Sequence, residues 1–156
     1  MRVLAVGERC HVPLLSSAAE ERIARLWDQA PLRCVLTFPA FAGITPTCDR
    51  ARHLLPGARF CNLLPPSPRP GLCDARLARH VAPLVHGWAA ENACKVALLG
   101  RRVTAAFLGA EVPLGVTRGV EGVVYLTLPH PSGLSRLWND EAGVERYRTM
   151  AREFCA

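Results

Sequence analysis

The chain has 156 residues, half of them hydrophobic, and a net charge of +6. That length suits one domain, residues 1–156, with a sizeable core; no apolar run is long enough to span a membrane, and the opening MRVLAVGERC reads as a strand rather than a secretion signal. The basic excess favours a polyanionic partner, but the basic residues are scattered, so any binding patch must be assembled by folding.

In chain order, RVLAV (Arg2 to Val6) predicts a buried strand that ends at Gly7. After the loop GERCHVPLLSS, Ser17 and Glu20 form a capping box, and Ile23, Leu26, Trp27 and Ala30 recur at helical spacing. Residues 31–47 read as loop around a short apolar piece, and 48–55 as a short helix stopped by Pro56-Gly57. ARFCNLL (Ala58 to Leu64) predicts a second strand, and PPSPRPG then breaks regular structure. Asp74 caps a helix with Leu77, Val81, Leu84 and Trp88 on its apolar face, which Pro83 is expected to kink or divide.

KVALLG is a third strand and leads at once into a helix over Arg101 to Leu108. Residues 112–118 and 122–128 predict two more strands. The last helix runs from Asp140 to Phe154, with Val144, Tyr147, Met150, Ala151 and Phe154 on one side. Strands alternating with helices imply an α/β fold: a three-layer α/β/α sandwich around a mainly parallel sheet of four to five strands.

The chain has 7 Cys, an odd number, with no CxxC pair. Reduced, buried, small apolar thiols are the expectation, with no metal and no cofactor. Lys95 is the sole lysine among 19 basic residues. It begins a strand, away from the loops, which points away from Schiff-base chemistry.

In an α/β fold, ligands gather at the carboxyl ends of strands. Three unusual loops belong there: VGERCH, CNLLPPSPRP and LPHPSGLSR. Together, in this order, they resemble the motifs of the uracil-DNA glycosylase superfamily, closest to its GE-motif, family 4/5-like branch but without that branch's evident iron–sulfur cysteine pattern. VALLGRRVTAAFLG is similar to the segment that precedes the last motif there. The resemblance spans most of the chain, and HPSxLS is its most specific part.

What the resemblance implies is a monofunctional enzyme that extrudes a nucleotide from DNA and cleaves the bond between sugar and base, leaving an abasic site. His130, held between Pro129 and Pro131, would donate to the departing base. Glu8 would orient water or face the cation-like sugar. Asn62 would read the base edge with its carboxamide, Gly7 would also bind the substrate, and Phe41, or Phe38, would stack on the base. Leu134 would fill the vacated space. Ser132, Gly133, Ser135 and Arg136, with Ser67 and Arg69 of the proline-rich loop, would hold the DNA backbone.

Each residue also has a plainer reading. Glu8 could pair with Arg9, Asn62 cap its turn, Leu134 open a short helix, and Phe38 and Phe41 belong to the core. His80 and His86 read as surface or packing residues, and Arg101 and Arg102 as a solvated pair.

The chain departs from the family pattern after Glu8, where related enzymes commonly carry Pro-Gly and this one has Cys10-His11. The bulkier pair crowds the space where backbone would approach substrate. His11 becomes a candidate second donor or base, and the substrate becomes uracil or another modified base. The expected protein is a monomer that binds DNA, not membrane, in a prokaryotic or phage-type cytoplasm near the nucleoid. The alternative is a non-catalytic or repurposed DNA-binding module on the same fold. A metal-dependent phosphohydrolase is disfavoured because clustered carboxylates are missing.

Overall fold

The computed structural model describes residues 2–7, 46–63, 74–131 and 140–156. The expected helix after Ser17 lies outside them. The strands are β1 (Arg2–Gly7), β2 (Arg59–Asn62), β3 (Cys94–Leu99), β4 (Thr117–Val120) and β5 (Val123–Leu128). The helices are α1 (Pro46–Leu54), α2 (Asp74–Glu91), α3 (Arg101–Leu108) and α4 (Glu141–Cys155).

The strands form one sheet in the order β2-β1-β3-β5-β4. Gly7 pairs with Asn62, Val6 with Leu98 and Leu99 with Leu128, all between parallel strands. β4 runs antiparallel to β5 at the edge. The fold is therefore α/β as expected, but the sheet is mixed rather than mainly parallel. The cause is local. Glu121 (φ 44°) and Gly122 (φ 84°) join β4 to β5 directly, and a two-residue connection can join only antiparallel neighbours.

Strand alternation assigns the core to two sets. Leu4, Val6, Val96, Leu98, Val123 and Tyr125 cluster with Ala78, Val81, Val85 and Ala89 of α2 and Val103 of α3. Val3, Ala5, Ala97, Leu99, Leu126 and Leu128 cluster with Ala51 and Leu54 of α1 and Tyr147, Ala151 and Phe154 of α4. Successive strand residues point to opposite faces, so β1, β3 and β5 are covered on both sides, whereas the edge strand β4 is exposed throughout. That is why β1 and β3 are continuous apolar runs. Lys95 fits the same alternation: its Nζ sits 5.0 Å from the centre of the Phe154 ring.

Three local expectations change. α2 runs unbroken through Pro83, which is exposed, so the hydrogen bond the ring removes lies on the solvent side. Its buried face is Ala78, Val81, Ala82, Val85 and Ala89, whereas Leu84 is 57% exposed. Small residues, not the large Leu84, face the sheet. Finally, the strand expected over 112–118 starts only at Thr117. Pro113 has no N–H for a ladder, and Gly115 turns the chain at φ +75°. The buried Thr127 hydroxyl holds this bend, donating to the Pro113 carbonyl (2.9 Å) and accepting from the Val116 N–H (3.1 Å).

α4 lies where the sequence predicts, with Asp140 outside its first turn as the N-cap. The Asp140 carboxylate accepts from the Gly143 N–H at 3.2 Å, an N-cap bond that satisfies an amide left over at the helix start. No helix among the described residues is long and apolar enough to cross a membrane.

Candidate active site

Four parallel strands bring their carboxyl ends to one edge: Asn62, Gly7, Leu99 and Leu128, in that order across the sheet. β1 is followed in sequence by its neighbour on one side, β2, and then by its neighbour on the other, β3. The chain thus reverses its winding direction between β1 and β3, and such a reversal opens a crevice at the carboxyl edge.

Gly7 and Asn62 are register partners on adjacent strands, and the Gly7 carbonyl accepts from the Leu63 N–H at 2.9 Å. Two of the three singled-out loops therefore leave the sheet side by side. The third leaves after Leu128, two strands away from β1. The expected site residues Gly7, Asn62 and His130 are thus gathered at one edge. Glu8, His11, Phe41, Ser67, Arg69, Ser132, Gly133, Leu134, Ser135 and Arg136 lie outside the described residues.

His130 is half-buried between two buried prolines, Pro129 and Pro131. Its placement depends on Gly100, which links β3 to α3. The Gly100 N–H donates to the Leu128 carbonyl at 2.8 Å, tying the two strand ends together. Gly100 adopts φ 104° and ψ 164°, a conformation essentially confined to glycine. A Cβ there would lie 3.3 Å from the His130 Cβ and 3.6 Å from its Cδ2. A side chain at this junction position would thus crowd the imidazole, and glycine leaves that space clear.

A second tie comes from α1, where the Arg50 guanidinium donates from Nη1 to the Pro131 carbonyl at 2.8 Å. Sequence reading misses both contributors. Gly100 carried a signal, a glycine at a strand-to-helix junction. Arg50 carried none, because its partner is 81 residues away.

Arg101 and Arg102 are exposed at the start of α3. Helix starts carry partial positive charge, and the two guanidinium groups add to it here. Among the described residues, no group of three His, Cys, Asp or Glu side chains gathers closely enough to hold a metal ion.

A separate polar cluster lies toward the amino end of β5. His86 Nδ1 and the Tyr125 hydroxyl are 2.5 Å apart, their rings stacked with centres 6.0 Å apart. Phe107 of α3 tilts against the same tyrosine. Burial, and secondarily the Glu121 carboxylate, push the Tyr125 phenol up to about 12, so it stays a neutral O–H. His86 Nε2 is 3.7 Å from Glu121 Oε2. His86 is therefore a packing residue with a specific partner, on the part of the sheet remote from His130.

Comparison with protein families matched no family model, and comparison with curated proteins found no match.

Proposed function

We propose that the chain is a monofunctional DNA glycosylase acting on uracil or another modified or damaged base. The observation that supports this reading best is the meeting of Gly7, Asn62 and His130 at one carboxyl edge, with His130 seated on Gly100. The helices on both sheet faces are read as the outer layers of an α/β/α sandwich, and that edge as the mouth of the site.

In the proposed reaction, the target nucleotide leaves the helix and its base enters the crevice. Asn62 pairs with the base edge, and His130 donates a hydrogen bond to the carbonyl that gains charge as the base departs. Glu8 faces the cation-like sugar or orients water, with His11 beside it as a second donor or base. The bond between C1′ and the base nitrogen breaks with its electron pair leaving on the base. Water adds to C1′ and loses a proton, which neutralises the base anion. Phe41 stacks on the extruded base. Leu134 occupies the gap in the duplex, while Ser67, Arg69, Ser132, Gly133, Ser135 and Arg136 hold the flanking backbone. The protein works as a monomer on DNA in a prokaryotic or phage-type cytoplasm.

The test is base release from single- and double-stranded oligonucleotides carrying uracil, xanthine, hypoxanthine or hydroxymethyluracil, with alkali revealing abasic sites. Cleavage at one of these bases supports the reading. Intact strands across the whole panel sink it, and a binding shift without cleavage points instead to a DNA-binding module in which Cys10-His11 marks a lost catalytic site.

A further inference from the structure

We infer that Arg50 is a positioning residue for His130, holding the loop that carries the imidazole from the opposite side to Gly100. The inference rests on the glycosylase reading for its kinetic consequence, though not for its geometry.

The segment Pro129-His130-Pro131 has few backbone donors with which to fix its course. A proline has no N–H, so the amide of His130 is the only backbone donor in the three residues. Its further backbone hydrogen bonds must therefore run through its carbonyls and those beside it. Two such carbonyls bracket the histidine. Leu128 is held by the Gly100 N–H at 2.8 Å, and Pro131 by Arg50 Nη1 at 2.8 Å. The first bond ties the loop to the β3–α3 junction, and the second ties it to α1.

Arg50 is well rooted for this task. The next residue, Ala51, is fully buried, and Leu54 one turn on is also buried, so α1 is fixed against the sheet. A charged guanidinium also makes a stronger, more directional bond to a carbonyl than a neutral donor does. A donor that must meet an oxygen gaining charge depends on such fixing, since a displacement of about 1 Å can cost on the order of a hundredfold in rate.

The experiment compares wild-type protein with Arg50→Met and Arg50→Lys in two arms. The first follows the imidazole Cε1–Hε1 signals of histidine-labelled protein, with the His130 signal assigned by its loss in His130→Ala. Arg50→Met should shift or broaden the His130 signal and leave that of His86, which is held by Tyr125, in place. The second arm measures base release. Arg50→Met should lower kcat roughly ten- to a hundredfold with KM nearly unchanged, and Arg50→Lys should restore part of it.

An unmoved His130 signal would overturn the inference. So would a raised KM with unchanged kcat, which would make Arg50 a phosphate contact instead. If wild-type protein releases no base at all, the glycosylase reading fails by itself, and the imidazole signals alone decide whether Arg50 fixes His130.

Discussion

A side chain at Gly100 would press on His130 across the end of the sheet: a Cβ there would stand 3.3 Å from that of His130, close enough that one of the two must shift. Two effects therefore act against any substitution. The backbone at φ 104°, ψ 164° is strained for an L-residue, and the new methyl presses on the imidazole. Gly100→Ala should lower the unfolding free energy by about 1–3 kcal/mol. It should also move the His130 imidazole signal. Denaturant titration and histidine spectra check both, and an unchanged spectrum would mean that His130 is placed by other contacts.

His130→Ala should reduce base release by on the order of a hundredfold or more, the scale of losing a donor to developing charge, and Asn62→Ala should also reduce it strongly by removing the group that holds the base edge. Thermal melting should show both proteins folded. Leu134→Ala should harm duplex substrates more than single strands, because only a duplex must be unstacked. Equal losses would make Leu134 a packing residue.

The Tyr125 phenol sets a limit at high pH. Its folded value of about 12 lies above the roughly 10 of an unfolded tyrosine, so the folded state keeps the proton longer. The stabilisation is complete below about pH 10 and is lost as pH rises through about 12. Comparison with Tyr125→Phe isolates the effect from other groups that titrate in this range. Near neutrality the variant should be less stable by about 1 kcal/mol, having lost the bond to His86. From pH 10 upward the gap should narrow. A constant gap in urea midpoints across pH 8–12 would refute the assignment.

The turn between β4 and β5 is open to improvement. Glu121 holds φ 44°, which costs a non-glycine residue roughly 1 kcal/mol and which asparagine tolerates better. Its contact with His86 involves a carboxylate side chain that is 84% exposed, and exposed ion pairs contribute little. Glu121→Asn should therefore raise the urea midpoint. It should also draw the Tyr125 phenol down, by removing the nearby carboxylate that helps to raise it.

The parts of this fold that were legible in the sequence are those whose signal is local and repeated. β1 and β3 are apolar runs because both faces are covered, and α4 has a cap at Asp140 and a periodic face through Tyr147, Ala151 and Phe154. Legibility failed where tertiary context decides. Leu84 looks like core by size, yet Ala78, Ala82 and Ala89 face the sheet. The strand over 112–118 looked continuous, yet Thr127 from the neighbouring strand bends its first half away. Gly7, Asn62 and His130 could be expected at one edge because each ends or follows a strand in an alternating strand–helix pattern. Their supports could not, since Gly100 matters through its missing side chain and Arg50 through a partner far along the chain.

The central strand has a consequence for the order of assembly. β1 precedes both of its neighbours by a long stretch of chain: Val6 waits for Cys61 on one side and for Leu98 on the other. The edge is not complete until Leu128 has joined Leu99. Pairings over such separations must overcome loop-closure entropy before they return any contact energy, which makes them slow. As the chain emerges during synthesis, the apolar β1 must therefore wait for partners that lie more than fifty residues further on, and the carboxyl edge that carries the candidate site closes only after Leu128 has emerged.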